Sequence, residues 1–363
     1  ETGWMISEEK FMKNLKFIDM LKIRGSWGRI GDDNVGGRFL YKDQLSNGGN
    51  TVMGSINPDN SPYTFWKTSS LGNPNISWET VEKRNIGLDY AFFNGLIAGS
   101  VDIFNDVRTD IIVDGGSRAI PSYFGATAPK ANLGKVNSHG YELELRLNHI
   151  FNNGLRAWLN TSMTHAINDA PLLPAYQKGV GHTINQVYSY IDHGNLGTWD
   201  DVIGSSTWTT GNDMKLPGDY NIIDFNGDGI VNIDDRAPYQ YASTPQNTYN
   251  ASLGFEWKGF SCFAQFYGVT NVTREVNFPT FRSTAHVAYA EGAYWTPGGN
   301  ATLPTPRWGT TVDPAATGTR YWYDGAYLRL KNVEVSYTFK NNWLKKIGVN
   351  SCRLYLNGDN LYM

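Results

Sequence analysis

The sequence predicts an all-β protein: an antiparallel transmembrane β-barrel with short turns at one end and long loops at the other. Three observations carry that expectation. Apolar and polar residues alternate with period two in segment after segment. Tight turns and long connections alternate along the chain. Aromatic residues gather beside the tight turns. The composition agrees, since 363 residues include 21 Tyr, 12 Trp and 39 Gly with only 18% charged, which suits aromatic strands joined by many turns. A net charge of −3 argues against a nucleic-acid partner.

The strands follow from the alternation. In "NIGLDYAF", Ile86, Leu88, Tyr90 and Phe92 oppose Asn85, Gly87, Asp89 and Ala91. In "YELELRLN", Tyr141, Leu143, Leu145 and Leu147 oppose Glu142, Glu144, Arg146 and Asn148. "YNASLGFEW" sets Tyr249, Ala251, Leu253, Phe255 and Trp257 on one face. "RLKNVEVSYTF" does the same with Val333, Val335, Tyr337 and Phe339, after a break near Asn332 that reads as a bulge or as the membrane boundary.

Hairpin turns are expected at Asn94-Gly95, at "FNNG" (151–154) and at Lys258-Gly259. The long connections cover roughly 31–77, 110–134, 169–245 and 271–322. An outer-membrane barrel is built this way, with short periplasmic turns and long outer loops. Tyr90, Phe92, Phe93, Phe151, Trp257, Phe260, Phe339 and Trp343 flank the turns, where an interfacial aromatic girdle belongs. In hydrocarbon every backbone polar group must be paired, so such strands must close. No apolar run reaches the length of a spanning helix, and a barrel needs none. Cys262 and Cys352 are too few for a structural zinc or iron–sulfur site and read as separate thiols in strands.

About nine strands are expected, an odd count where single-chain bacterial barrels usually have even ones. The first residues, "ETGWMISEEKFM", resemble neither a signal peptide nor an initiator start, and the last, "LNGDNLYM", stop in or near a strand. The chain is therefore expected to be a piece of a longer protein.

Five stretches in order carry a family resemblance: "LKIRGSWGRIGDDN", "NPNISWETVEKRNIGLDYAFFNG", "NLGKVNSHGYELELRL", "PGDYNIIDFNGDGIVNIDDRAPY" and "YLRLKNVEVSYTFKNNWLKKIGVNSCRLYLNGDNLYM". Together they resemble the C-terminal barrel part of the SusC/RagA family of TonB-linked outer-membrane transporters. The resemblance implies that residues 1–363 are part of a 22-stranded, plugged barrel, with the plug domain, the N-terminal strands and the last strand or strands lying elsewhere. It implies a SusD-like surface lipoprotein over the barrel mouth. It further implies import of oligosaccharides or peptides, energised through TonB–ExbB–ExbD.

Residues 224–235, "DFNGDGIVNIDD", have the ligand spacing of an EF-hand calcium loop. Asp224, Asn226 and Asp228 offer side-chain oxygens, Ile230 its carbonyl, Asn232 a ligand through water, and Asp235 the last position, where Glu is usual. Hard oxygen donors suit Ca²⁺ in a structural role. The other reading is an Asn/Asp/Gly-rich turn without metal. Trp199 and Trp208, upstream of this loop, are candidates for ligand or lipoprotein contact. "NWLKKIG" (342–348) reads as a polar turn or as a short interfacial helix.

No His-Glu-x-x-His, Gly-x-Ser-x-Gly or phosphate-loop motif occurs, and Glu142 with Glu144 reads as barrel lining rather than a hydrolase pair. The expected protein is a transporter and not an enzyme. Two other readings stand beside it: a passive porin, and a secreted calcium-stabilised glycan-binding β protein.

Overall fold

The computed structural model describes residues 1–33, 36–51, 63–117, 120–172, 181–276, 294–299, 318–340 and 348–362, grouped in two compact units. The first comprises Glu1–Ile184, Tyr249–Tyr267 and Arg329–Tyr362. It is built on one sheet whose ten strands lie side by side in chain order. They are β1 (Thr2–Met5), β2 (Ile18–Asp32), β3 (Glu79–Phe92), β4 (Ile97–Val113), β5 (Ala131–Ile150), β6 (Arg156–Leu172), β7 (Asn247–Trp257), β8 (Phe260–Thr270), β9 (Tyr327–Phe339) and β10 (Cys352–Tyr362). β1 has four residues and the other nine have 11 to 20, so the sheet has one short strand beyond the nine or so expected. The pairings β1–β2, β2–β3, β3–β4, β4–β5, β5–β6 and β9–β10 are antiparallel.

The meander follows from its turns. Lys258 and Gly259 join β7 to β8 with φ of +49° and +90°, a two-residue link whose left-handed backbone matches strand twist. Phe93, Asn94 and Gly95, also at positive φ, turn β3 into β4. Residues 151–155 turn β5 into β6, closed by Gly154 N–H donating to the Phe151 carbonyl at 2.9 Å. The connections at the other ends are long, and the one between β2 and β3 carries its own hairpin of Gln44–Asn50 with Thr64–Ser70.

Register settles the two faces. Ile23, Leu88, Val101, Leu143 and Met163 are successive cross-strand partners on β2 to β6. One residue along, Arg24, Gly87, Asp102, Glu142 and Thr164 form the next row, pointing the opposite way. At the centre of β3 and β4 burial is inverted relative to a water-soluble sheet: Ile86 is 67% exposed and Ile103 62%, whereas Asp102 is 7% exposed. On β5 the apolar face runs from Leu147 through Leu145 and Leu143 to Tyr141, with His149 and His139 bounding it. The two histidines are about 33 Å apart along the strand, or about 25 Å in height at a tilt near 40°, so the apolar stretch between them fits within a lipid-facing band. Between β9 and β10 the register shifts between Leu330 and Asn332, so the break read near Asn332 is an irregularity in the ladder.

The second unit comprises Asn185–Thr248 and Gly268–Leu328. Its described residues hold short strand pairs, among them Gln186–Tyr190 with Arg236–Ala242 and Thr273–Glu275 with Trp322–Asp324, and the helix α1 (Trp199–Gly204). Its core gathers Tyr190, Trp208, Tyr220, Ile222, Val231 and Tyr321. Of the sequence readings, Trp343 and residues 342–347 lie outside the described residues. Cys262 and Cys352 are free.

Candidate functional site

The loop at 224–235 grows out of that core. Tyr220 and Ile222, both at most 2% exposed, anchor its entry, and Val231, 1% exposed, pins its middle. Between the anchors the backbone curls around side-chain oxygens. The Asp224 carboxylate accepts from Gly227 N–H at 2.8 Å, Asp228 N–H at 3.2 Å and Gly229 N–H at 2.6 Å. Gly227 and Gly229 permit this curl because both sit at positive φ, +75° and +88°. Asp228 accepts from Ile230 N–H at 2.8 Å, and Asn226 donates to Asp228 at 3.1 Å.

The loop is closed by its last residue. Asp235 is fully buried. It accepts from Phe225 N–H at 2.9 Å, Asn226 N–H at 3.2 Å and Asn232 N–H at 2.7 Å. Asn232 caps the short 3-10 turn Ile233–Asp235 reciprocally with Asp235. The structure therefore brings Asp224, Asn226, Asp228, Ile230, Asn232 and Asp235 into one loop. The donor set is all oxygen, which fits a hard cation. Its carboxylates, however, are turned to backbone N–H groups. Among the described residues no three His, Cys, Asp or Glu side chains are gathered as a metal-holding group.

The two tryptophans part company. Trp199 is 58% exposed at the start of α1, whose N-cap Thr198 forms a reciprocal capping box with Asp201. These hydrogen bonds, led by that of Thr198, hold the Asp201 carboxyl below its usual range. Trp208 is 3% exposed within the aromatic core of the unit. This corrects its reading as a contact residue: the ring packs inside the chain and offers no face to a ligand. Its neighbour Lys215 gave no signal in the sequence. Lys215 is 5% exposed, donates to Ser205 Oγ at 2.7 Å and to the Ser206 carbonyl at 2.8 Å, and lies 5.1 Å from the Trp208 ring centroid. Burial pushes its pKa down.

The polar face of the first unit holds a second cluster. Arg24 reaches Asp89 at 3.2 Å and Asp102 at 2.5 Å. Gly87 sits between them, and a side chain there would collide with both Arg24 and Asp102. Glu144 pairs with Arg146 at 2.7 Å on that same face.

The profile of a family described as TonB dependent receptor-like, beta-barrel, matches residues 13–361. The chain belongs to this family of TonB-dependent receptor barrels. Its members are transporters rather than enzymes, and they reside in the outer membrane. Among the relatives, TonB-dependent receptor P26 of Formosa agariphila is 26% identical across 99% of this chain and 37% of its own length. TonB-dependent receptor SusC of Bacteroides thetaiotaomicron is 30% identical over 149 residues, 39% of this chain and 14% of SusC. The RagAB peptide importer in its open-open state shares the fold, with a TM-score of 0.73 and 19% identity over 99% of this chain and 38% of that one. The chain thus spans a little over a third of these longer relatives, and the predominantly antiparallel sheet matches the outer-membrane barrel fold.

Proposed function

We propose that this chain forms wall and outer loops of an energised importer. The wall is a closed barrel of 22 strands. A SusD-like surface lipoprotein covers its mouth, and TonB–ExbB–ExbD drives passage of an oligosaccharide or a peptide. The observation that carries this reading is the family match over nearly the whole chain, joined to long connections that fold as a unit with its own core. A simple pore has no need of such a unit. RagAB, described as a peptide importer, supports the peptide side of the cargo question.

The test is affinity purification of the full-length parent from detergent-solubilised outer membranes, with mass spectrometry of what accompanies it. A stoichiometric surface lipoprotein supports the reading. A barrel that extracts alone favours a porin or a lone receptor and sinks the lidded importer. Within the same reading, Ca²⁺ enters the 224–235 loop and stiffens it, supported by the all-oxygen donor set and its spacing. Equal rates of proteolysis at this loop in millimolar calcium and in chelator would refute that part alone.

A further inference from the structure

The outward face of β5 to β8 is not uniformly filled. Ala157, Cys262 and Ala264 leave a low floor, and Leu147, Leu253 and Phe255 stand around it, bounding a cavity of about 540 Å³. The facing follows from the opposite side, where Trp158 and Phe263 stack with ring centroids 5.7 Å apart. Cys262 and Ala264, flanking Phe263, must then point outward. At the turn end, Phe255 stacks on Phe260 at 5.9 Å. Trp257, two residues further along the same face, donates its indole N–H to the Asn153 carbonyl at 3.3 Å. The Lys258 ammonium lies 4.9 Å from the Trp257 ring centroid.

The apolar groove thus stops at Phe255, and one step beyond its edge on the same face Trp257 carries a cation at its ring. We propose that this groove is a fixed site for one phospholipid of the inner leaflet, with an acyl chain between the walls and its phosphate at Lys258. The occupant follows from continuity with the lipid-facing band and from charge: the tight turns lie on the periplasmic side, where an ammonium beside an indole meets headgroups. Hydrophobic transfer does not drive the binding, since the bilayer is equally apolar. The gain is dispersion contact on several sides of the chain, with the phosphate contact added.

The full-length transporter, purified in detergent and washed with excess detergent, is weighed intact by native mass spectrometry. One phospholipid should remain on the wild type. Ala157→Phe, which fills the floor, and Lys258→Gln should each lower that adduct about tenfold, equivalent to about 1.4 kcal/mol. Val101→Phe, an enlargement elsewhere on the outward face, should keep it. An unchanged adduct in both groove variants overturns the proposal, as does an adduct with the mass of lipopolysaccharide or detergent, or none. If Ala157→Phe does not fold, by heat-modifiable migration, Lys258→Gln and the native thiol decide. Cys262 should react with a maleimide about tenfold slower before lipid removal than after, and equal rates overturn the site.

Discussion

Asp235 holds three backbone N–H groups with one fully buried carboxylate. Asp235→Ala would leave those donors without an acceptor, each costing about 1–3 kcal/mol if it stays buried. The loop should open locally by about 3 kcal/mol or more, seen as faster proteolysis within 224–235 of the parent protein. Asp235→Asn keeps the shape and one oxygen acceptor, so it should fall between. Lys215 gives a pH signature of opposite sense to that of a paired carboxylate. Its folded pKa lies below the usual 10.5, so between those two values the unfolded chain binds more protons. Raising pH through that window removes the cost of burying the charge and favours the folded unit. Hydrogen exchange of residues 205–222 should therefore slow, relative to its intrinsic rate, as pH rises toward 10.5. Lys215→Met should abolish that trend while leaving the Ser206 carbonyl unpaired, at about 1–3 kcal/mol. The tight curl at 224–235 was legible because Asn, Asp and Gly state their turn preferences locally in sequence. The burial of Trp208 and Lys215 was not legible, because it depends on Tyr190 and Tyr321, which lie 18 or more residues from Trp208 along the chain.

At the scale of the strand, period-two alternation was enough to assign faces, and the cross-strand register of β2 to β6 upholds it residue by residue. Tight turns were equally legible, since Asn-Gly and Lys-Gly state their backbone needs locally. What alternation cannot show is which charges on the polar face meet. Arg24, Asp89 and Asp102 come from three strands, and Arg24 lies 65 and 78 residues from its two partners. Asp102 is 7% exposed and one of its oxygens, Oδ1, has no partner among the described residues, so it leans on Arg24 for compensation. Arg24→Met should cost about 3 kcal/mol, because a charge stays buried without its counter-ion. Arg24→Met with Asp102→Leu should recover part of that loss. The readout is the temperature at which the parent barrel loses its heat-resistant, fast-migrating form. Equal losses in the single and double variants would show that the ion pair carries no specific stabilisation.

Across the whole chain, the sheet and the second unit divide the labour. Tight turns at 93–96, 151–155 and 258–259 join strands of the sheet, while the long connections between β6 and β7 and between β8 and β9 build a separate core. Two insertions cooperate in that core: Thr319 donates to Asp192 at 2.7 Å, and the rings of Tyr220 and Tyr321 approach edge-on, with centroids 6.1 Å apart. Neither insertion folds as this unit without the other, so damage to one should be felt by both while the sheet persists. Tyr220→Ala tests this. Loss of a fully buried aromatic costs about 3–5 kcal/mol, enough to loosen a core of this size. The parent should still assemble in the outer membrane and keep its heat-resistant form, because the sheet's own pairings are untouched. Protease sites should appear in both insertions together, and co-purification of the proposed surface lipoprotein should drop sharply. If the lipoprotein stays bound while both insertions are cleaved, the lid is held by other parts of the parent protein. The second unit then has no part in holding the proposed lipoprotein.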